Sequence, residues 1–429
     1  MKRRTFLAAA AALAQRGSAL GANDEIQLAV VGAGGRGRGH IEYYNDIPGV
    51  RVAAVCDVNQ AARERAEALV LKLTDRKPRL FTDLRKLYDD PEINAVSIAT
   101  PNHWHALATI WACQAGKDVY VEKPAAHDPY EAGQMVAAAR KYKRVVQVGS
   151  QSRSIAHKRR AIELLGEGVI GAVYMARGLC YRRRNSIGHT PVEPVPPGLD
   201  WDIFLGPAPM REYTKNRFAY NWHWFWDTGN GDIGNQGVHE MDICRWGLGV
   251  DSAPSSASST GGKFIWKDDQ ETPNMQQAAF GYGDREIVFD VRNLNTGGES
   301  QIPLGKSLVG NIFYGSEGYM SLHPEGFQVY LGDERQVHLD EKHQEERIWD
   351  PRPHMANFLD AARSKDPSKL NADIALGAAA ADLCHYANAS YRLERRLQID
   401  PASGRAEDAE AKRMLRREGR EPWRIPDPV

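Results

Sequence analysis

The chain has 429 residues, of which 42% are hydrophobic and 26% charged, so it is long enough to form two domains with separate cores. Lys and Arg total 55, as do Asp and Glu, and this balance argues against a nucleic-acid partner. No apolar stretch reaches the roughly 18 residues that a membrane span needs, so we expect no membrane partner. The five cysteines are widely spaced without a CxxC pair, which favours buried thiols over a disulfide framework, and no metal site is predicted.

Residues 1–22 differ in composition from the rest of the chain. Lys2, Arg3 and Arg4 precede an apolar, alanine-rich stretch, and this order resembles a twin-arginine export signal. The alternative is an alanine-rich N-terminal helix that frays. With a working signal we expect a periplasmic or other extracytoplasmic protein, and without one a cytoplasmic protein.

Strand and helix patterns alternate over residues 26–150. Buried strands are predicted at 26–31, 50–56, 95–100, 118–121 and 145–149, and helices at 38–46, 105–115 and 129–143. This alternation predicts an α/β domain with a doubly wound parallel sheet of the Rossmann type.

A glycine-rich segment, Gly32-Ala33-Gly34-Gly35-Arg36-Gly37, joins the first predicted strand to the first helix. Gly32 permits the tight turn, Gly34 lets the backbone approach a pyrophosphate, and Gly37 allows close helix packing. Asp57 follows the second strand, where it can accept hydrogen bonds from a ribose and repel a 2′-phosphate. The segment therefore predicts a dinucleotide site that includes Arg36 and prefers NAD over NADP.

After residue 150 the pattern changes. We predict helices at 157–165 and 374–391, strands at 173–180, 287–291 and 327–331, and loops at 191–198 and 255–262. Residues 151–400 are expected to form an α+β domain with an antiparallel sheet. Residues 401–429 are expected to form a charged surface tail.

Polar clusters follow three strands of the first domain, and the carboxyl ends of such strands share one crevice. The cofactor candidates among them are Thr100, Asn102, His105, Glu122, Lys123 and Gln151, and Arg153 is a substrate candidate. A lysine beside a positively charged nicotinamide should have a lowered pKa and can donate a proton or a hydrogen bond to a carbinol oxygen.

The segment 229–242 carries Asn235, His239 and Asp242, and Trp246 follows it. Their spacing of four, three and four residues places them on one face of a helix. His239 could exchange a proton with a substrate hydroxyl, with Asn235 or Asp242 fixing its orientation. Lys123, His239 and Asn235 are thus the catalytic candidates, and Asp242 is a substrate candidate.

The run Trp222-His223-Trp224-Phe225-Trp226 has two interpretations. Its rings could stack on a sugar, or they could form a core of the second domain. We expect one or two of them, with Trp222 and Trp224 as candidates, to reach the substrate.

These motifs together resemble the Gfo/Idh/MocA family, which includes glucose–fructose oxidoreductase and inositol dehydrogenase. The resemblance runs from about Gln27 to Asp400, and Glu122-Lys123-Pro124 is its most specific part. It implies that residues 151–400 form a second domain on a large, mostly antiparallel open sheet that serves substrate binding and oligomerisation. The resemblance further implies NAD(P), a sugar or polyol substrate, and a homo-oligomer, either a dimer or a tetramer. It also implies a catalytic Lys123 and an acid/base His239. Members often carry Asp where this chain has Asn235.

Three functions fit these residues. The first is an NAD-dependent oxidoreductase acting on a secondary hydroxyl of a sugar, polyol or glycoside. The alternative resembles glycoside hydrolase family 109, in which transient oxidation, elimination and a recycled bound cofactor cleave a glycoside. The third is a sensor that binds nucleotide and sugar without catalysis.

Overall fold

The computed structural model describes residues 25–294, 308–343 and 349–429, so the predicted export signal at 1–22 lies outside the described residues. In the described part, no helix has the length and apolar character needed to cross a membrane. All five cysteines are buried and unbridged, as predicted. Within the same ranges, no group of three or more His, Cys, Asp or Glu side chains could hold a metal ion.

The first sheet is fully parallel, with the order β3–β2–β1–β4–β5–β6, which confirms the predicted Rossmann domain. Its strands are β1 (Ile26–Val31), β2 (Val50–Cys56), β3 (Arg79–Phe81), β4 (Ala95–Ile98), β5 (Asp118–Val121) and β6 (Val146–Val148). Its helices are α1 (Gly35–Asn45), α2 (Gln60–Thr74), α3 (Leu84–Tyr88), α4 (Asn102–Gln114) and α5 (Pro129–Lys141). The strand order reverses between β1 and β4, and ligands of such sheets bind beyond the strand ends at that point.

The second sheet has nine strands in the order β14–β13–β12–β11–β7–β10–β9–β8–β15. Its strands are β7 (Val173–Tyr181), β8 (Ser256–Gly262), β9 (Met275–Tyr282), β10 (Arg285–Arg292), β11 (Leu308–Gly315), β12 (Gly318–His323), β13 (Gly326–Leu331), β14 (Gln336–Lys342) and β15 (Leu397–Gln398). The remaining helices are α6 (Ala156–Gly166), α7 (Trp201–Leu205), α8 (Val238–Leu248), α9 (Arg352–Ser364), α10 (Ile374–Leu393) and α11 (Ala409–Met414). Among the described strand pairs of this second sheet, β7–β10 alone is parallel, so the predicted mostly antiparallel sheet is confirmed.

The predicted loop at 255–262 is wrong, because Ser256–Gly262 forms β8 between β9 and β15. The strand consists of Ser, Ala, Thr and Gly, whose small side chains let the alanine-rich α10 pack closely against it. The Ser259 amide donates to the Ser390 hydroxyl of that helix at 2.9 Å. Small polar residues therefore marked a close helix–sheet contact here rather than a turn.

The end of the chain returns to the first domain. Helix α9 buries Met355, Phe358 and Leu359 in the same core cluster as Val30 of β1. The segment predicted as a surface tail also contributes buried residues, since Trp423 is 2% exposed. Its indole contacts Trp104 of α4 edge-on, with ring centroids 5.4 Å apart. Helix α9 and the C-terminal segment are thus packed against the first domain.

Candidate active site

A cavity of about 990 Å³ lies where the carboxyl ends of the parallel strands meet the second domain. Most of the predicted site residues line it: Gly32, Gly34, Arg36, Asp57, Thr100, Asn102, His105, Glu122, Lys123, Gln151, Trp222, Asn235 and His239. Four predicted residues do not line it: Gly37, Arg153, Trp224 and Asp242. The three strand-end clusters therefore converge on one crevice, as the sequence predicted.

The glycine segment forms one end of the cavity. Gly32 has φ +84°, and a Cβ there would lie 2.8 Å from the Ala99 backbone. A Cβ on Gly37 would lie 1.8 Å from the Gly32 carbonyl oxygen, so the absence of a side chain lets α1 approach the turn. At Gly34 a Cβ would meet no atom within 4 Å, and this residue caps α1 without a side-chain hydrogen bond. The open space and the free first-turn N–H groups fit a pyrophosphate.

Asp57 lines the cavity at the end of β2. Its carboxylate accepts hydrogen bonds from the Ala33 amide at 2.7 Å and the Asn59 amide at 2.8 Å. Burial raises the pKa of Asp57, and these hydrogen bonds offset part of the rise. Arg38 and Arg65 also line this end, and sequence reasoning missed both. The carboxylate of Asp57 thus shares the cavity wall with two cations.

A second buried acid, Glu122, joins the glycine segment to β5. Its Oε1 accepts from Arg36 Nε at 2.8 Å and from Gln151 Nε2 at 3.3 Å, and lies 3.0 Å from His40 Nε2. Burial disfavours the carboxylate, but Arg36 and His40 hold the pKa of Glu122 well below its usual value. His40 was missed; on the observed helix α1 it lies four residues after Arg36, one turn along the same face.

Lys123 extends from the end of β5 towards the second domain. Its Nζ donates to the Asn235 carbonyl oxygen at 2.5 Å and lies 3.4 Å from Asn235 Oδ1. Burial lowers the pKa of Lys123 and Arg36 acts in the same direction, while Glu122 and Asp232 oppose both. Lys123 and Asn235 therefore meet across the domain boundary.

His239 lines the cavity near the start of α8. A π-helical turn, Ile233–Gly237, precedes that helix and carries Asn235, so both residues face the same space. Within the described residues, His239 Nδ1 is buried without a hydrogen-bond partner. Burial, followed by the Lys123 charge, holds the pKa of His239 well below its usual value. The imidazole is thus neutral at neutral pH and can accept a proton.

Asp242 and Arg153 were predicted to contact substrate, but they bind each other behind the cavity. Three hydrogen bonds of 2.8 to 3.1 Å join the two side chains, and Trp246 lies under the guanidinium at 4.9 Å. The prediction assumed that the whole face of α8 was open to ligand. A buried carboxylate needs a partner, however, and Arg153 provides it, so Asp242 does not orient His239.

The aromatic run divides between cavity and core. Trp222 lines the cavity, whereas Trp224 is 3% exposed and does not. Tyr220 and His223, which were not predicted as site residues, also line it. The His223 ring stacks on Trp222 at 3.6 Å, and its Nδ1 lies 2.5 Å from the Tyr220 carbonyl oxygen. Burial lowers the pKa of His223 to about 3, so the site holds a second neutral imidazole.

The loop after β4 is tied to its neighbours. Asn102 Nδ2 donates to Asn230 Oδ1 at 2.9 Å, which links the loop to the second domain. The His105 ring lies 2.9 Å from the Thr100 carbonyl oxygen and 2.7 Å from that of Pro124. These contacts fix the cavity wall between the two ends.

Two family models match the chain. Residues 26–150 match the model described as "Oxidoreductase family, NAD-binding Rossmann fold", and residues 161–289 match "Oxidoreductase family, C-terminal alpha/beta domain". The chain belongs to the Gfo/Idh/MocA oxidoreductase family. Its first domain is therefore the NAD-binding Rossmann domain of that family.

Other Gfo/Idh/MocA-like proteins cover different shares of the chain. A glycosyl hydrolase family 109 protein of Shewanella baltica is 36% identical over 120 residues, which are 27% of this chain and about a quarter (26%) of that protein. The myo-inositol dehydrogenase of Lactobacillus casei, solved with NAD(H) and myo-inositol, superposes with a TM-score of 0.63 and 21% identity, covering 88% of this chain and 98% of that one. The WlbA dehydrogenase of Bordetella pertussis, solved with NADH and UDP-GlcNAcA, superposes with a TM-score of 0.64 and 19% identity, covering 88% of this chain and 99% of that one. At these identities the structures establish the shared fold.

Proposed function

We propose that the protein is an NAD-dependent oxidoreductase acting on a secondary hydroxyl of a sugar, polyol or glycoside. The observation that carries the proposal is the presence of His239 and Lys123 in the same cavity as the glycine segment. Gly32, Gly34 and the first turn of α1 would hold the pyrophosphate, and Asp57 a ribose. When bound there, NAD⁺ supplies the acceptor for the hydride that leaves the substrate carbon.

The protein's own groups handle the proton. His239, neutral because of burial, accepts the hydroxyl proton as the C–H bond breaks. Lys123 donates a hydrogen bond to the same oxygen, which stabilises the negative charge that develops there. Asn235 keeps the lysine directed across the cavity through the bonds at 2.5 and 3.4 Å.

The direct test is to denature the purified protein, identify any nucleotide that is released, and measure binding of NAD and NADP. Sugars, polyols and glycosides are then screened for nucleotide-dependent oxidation. A protein that contains no nicotinamide nucleotide and binds neither NAD nor NADP would overturn the proposal. If Lys123→Ala and His239→Ala variants keep full biological activity, the sensor hypothesis replaces it.

The second candidate is a glycosidase in which oxidation is transient and the cofactor is recycled. The similarity to a family 109 protein supports it, and so does His223. Elimination of an aglycone moves a proton from a neighbouring carbon, which is a task for a second neutral base in addition to His239. Release of sugar from a glycoside without a net change in NADH absorbance would identify this activity.

Two further expectations are part of the proposal. Residues 1–22 would direct twin-arginine export, so replacing Arg3 and Arg4 by Lys should retain the protein in the cytoplasm.

We also propose that the protein forms a dimer or a tetramer. Light scattering of the purified protein measures the mass of the assembly directly.

A further inference from the structure

Asp232 is a buried acid that borders the catalytic candidates, and it is 1% exposed. Among the described residues, four N–H groups donate to its carboxylate. Arg184 Nη2 at 2.9 Å and Asn235 Nδ2 at 3.0 Å donate to Oδ1, while Arg184 Nε at 3.3 Å and Asn293 Nδ2 at 2.5 Å donate to Oδ2. We call these four residues the Asp232 cluster. Because every contact to the carboxylate comes from a donor, no other side chain of the same shape satisfies all four.

The cluster determines which way the Asn235 amide faces. Its NH₂ group is taken up by Asp232, so its oxygen is turned towards Lys123 Nζ, 3.4 Å away. The lysine ammonium consequently meets two acceptors on one residue, the amide oxygen and the backbone carbonyl. An Asn235 turned the other way would place NH₂ against the ammonium.

We propose that Asp232 is the positioning residue for Lys123 and acts through the amide of Asn235. The Asp232 carboxylate is bonded to the same amide group whose oxygen faces Lys123 Nζ. The inference rests on the proposed role of Lys123 in catalysis. It assigns the orientation and the charge balance of that lysine to a residue that does not line the cavity.

Asp232 is one of several charged or titratable groups that influence the protonation of Lys123. The acids that face the lysine are Glu122, Asp232 and Glu240, the cations are Arg36 and Arg184, and the remaining titratable groups are His105, His223, His239 and Cys384. Glu122 is already bonded to Arg36 and His40. Replacing Asp232 by Asn removes one negative charge from this set, so the ammonium form of Lys123 becomes less favourable.

The first test is Asp232→Asn, with Asp290→Asn as the matched control. Asp290 is also buried and bonded to an arginine, Arg292, but it lies in β10 away from the cavity. Lys123 is followed by pH-dependent reductive methylation and mass spectrometry, which needs neither substrate nor nucleotide. In Asp232→Asn the midpoint of Lys123 labelling should fall by about half a unit to one unit, as expected for the loss of one nearby charge. In Asp290→Asn it should not move.

The second test restores the charge at the neighbouring position. Asn235→Asp alone puts two carboxylates about 3 Å apart and should lower kcat, since like charges at that distance cannot both ionise. In the Asp232→Asn background the same change should restore kcat by about tenfold and return the labelling midpoint. A substitution that harms one background and rescues the other is not expected of residues that merely support the fold.

The outcomes separate this inference from the proposed function. If Asp232→Asn is folded by circular dichroism and shows the labelling midpoint and kcat of wild type, the inference is wrong and the proposed function stands. If the variant does not fold, Asn235→Ala keeps the Arg184–Asp232 pair and should by itself lower kcat about tenfold with the KM for NAD unchanged; an unchanged kcat overturns the inference. If NAD does not bind at all but the midpoint still moves, the proposed function fails and the positioning of Lys123 remains.

Discussion

The two ends of the cavity are built in different ways. At the glycine end, close packing depends on backbone atoms and on missing side chains: Gly37 lies against the Gly32 carbonyl oxygen, and Gly32 against the Ala99 backbone. At the other end, side chains from β5, the 219–224 turn and the π-helical turn meet through buried charges. The first end thus depends mainly on backbone contacts, and steric collision is its main vulnerability. The second depends on charges being paired across domains, so losing one group affects several others.

The largest expected effect is at the second end. His239→Gln removes the proton acceptor but keeps a side chain of similar length, so kcat should fall by about 10²- to 10⁴-fold while NAD affinity changes little. Steady-state kinetics measure kcat, and titration with NAD measures the affinity for NAD. A fall in NAD affinity equal to the fall in kcat would show that the histidine shapes the cavity instead of moving the proton.

The pH dependence of the wild type follows from the same residue. Burial and Lys123 hold the pKa of His239 well below its usual 6.5, so the active neutral form persists as the pH is lowered. The acid limb of kcat/KM should therefore lie well below the usual 6.5, and activity should be lost only as the pH falls through the lowered pKa. An acid limb near pH 6.5 to 7 would contradict this assignment.

The next effect concerns the glycine end. In Gly37→Ala the new Cβ would lie 1.8 Å from the Gly32 carbonyl oxygen, so the turn must shift, at a cost of about 3 kcal/mol in the free energy of unfolding. Gly35→Ala is the matched control, because a Cβ at this helical position meets no atom within 4 Å. Denaturant unfolding should separate the two variants clearly. Equal stability would show that the turn adapts and that the close approach is not required.

The difference between the two ends also explains what the sequence could predict. The strand, the glycines and Asp57 lie within 32 residues, and local rules connect them. The first sheet was therefore predicted correctly, and Gly32, Gly34 and Asp57 line one cavity. His239 and Lys123 each belong to a recognisable local motif, and the structure places both in the cavity wall. Asp242 was misassigned because its partner, Arg153, lies 89 residues earlier and nothing local marks the pair.

Residues missed in the second half share one property. Asp232 and His223 lie in segments whose other residues were the predicted site residues. Their roles depend on contacts with Arg184, Asn293 and Trp222 that only the folded chain creates. The strand at Ser256–Gly262 was missed for a similar reason, since its small residues are explained by a helix more than 110 residues later. Spacing along the chain does not contain this information.

A smaller effect is expected for cofactor choice. Asp57→Ser removes the carboxylate that would repel a 2′-phosphate, while Arg38 and Arg65 remain in the cavity wall. The ratio of kcat/KM for NAD to that for NADP should fall by about tenfold, equivalent to about 1.4 kcal/mol. The lost bonds to the Ala33 and Asn59 amides predict some loss of stability, so thermal melting must accompany the kinetics. An unchanged ratio would mean that Asp57 serves the turn alone.

The smallest effect is expected at Trp222, and comparison with Trp224 tests which of the two rings belongs to the cavity and which to the core. Trp222→Leu removes a ring that lines the cavity, so the KM for a sugar should rise a few-fold, in keeping with about 0.5 to 1.5 kcal/mol for an aromatic contact. Trp224→Leu should instead lower the melting temperature with little change in KM, because that ring is buried away from the cavity. The His223 ring lies 3.6 Å from Trp222, so the first variant also frees this imidazole to move. If the substrate is a glycoside cleaved with a recycled cofactor, Trp222→Leu should then lower kcat for aglycone release more than kcat for simple oxidation, since elimination is the step that needs His223 in place.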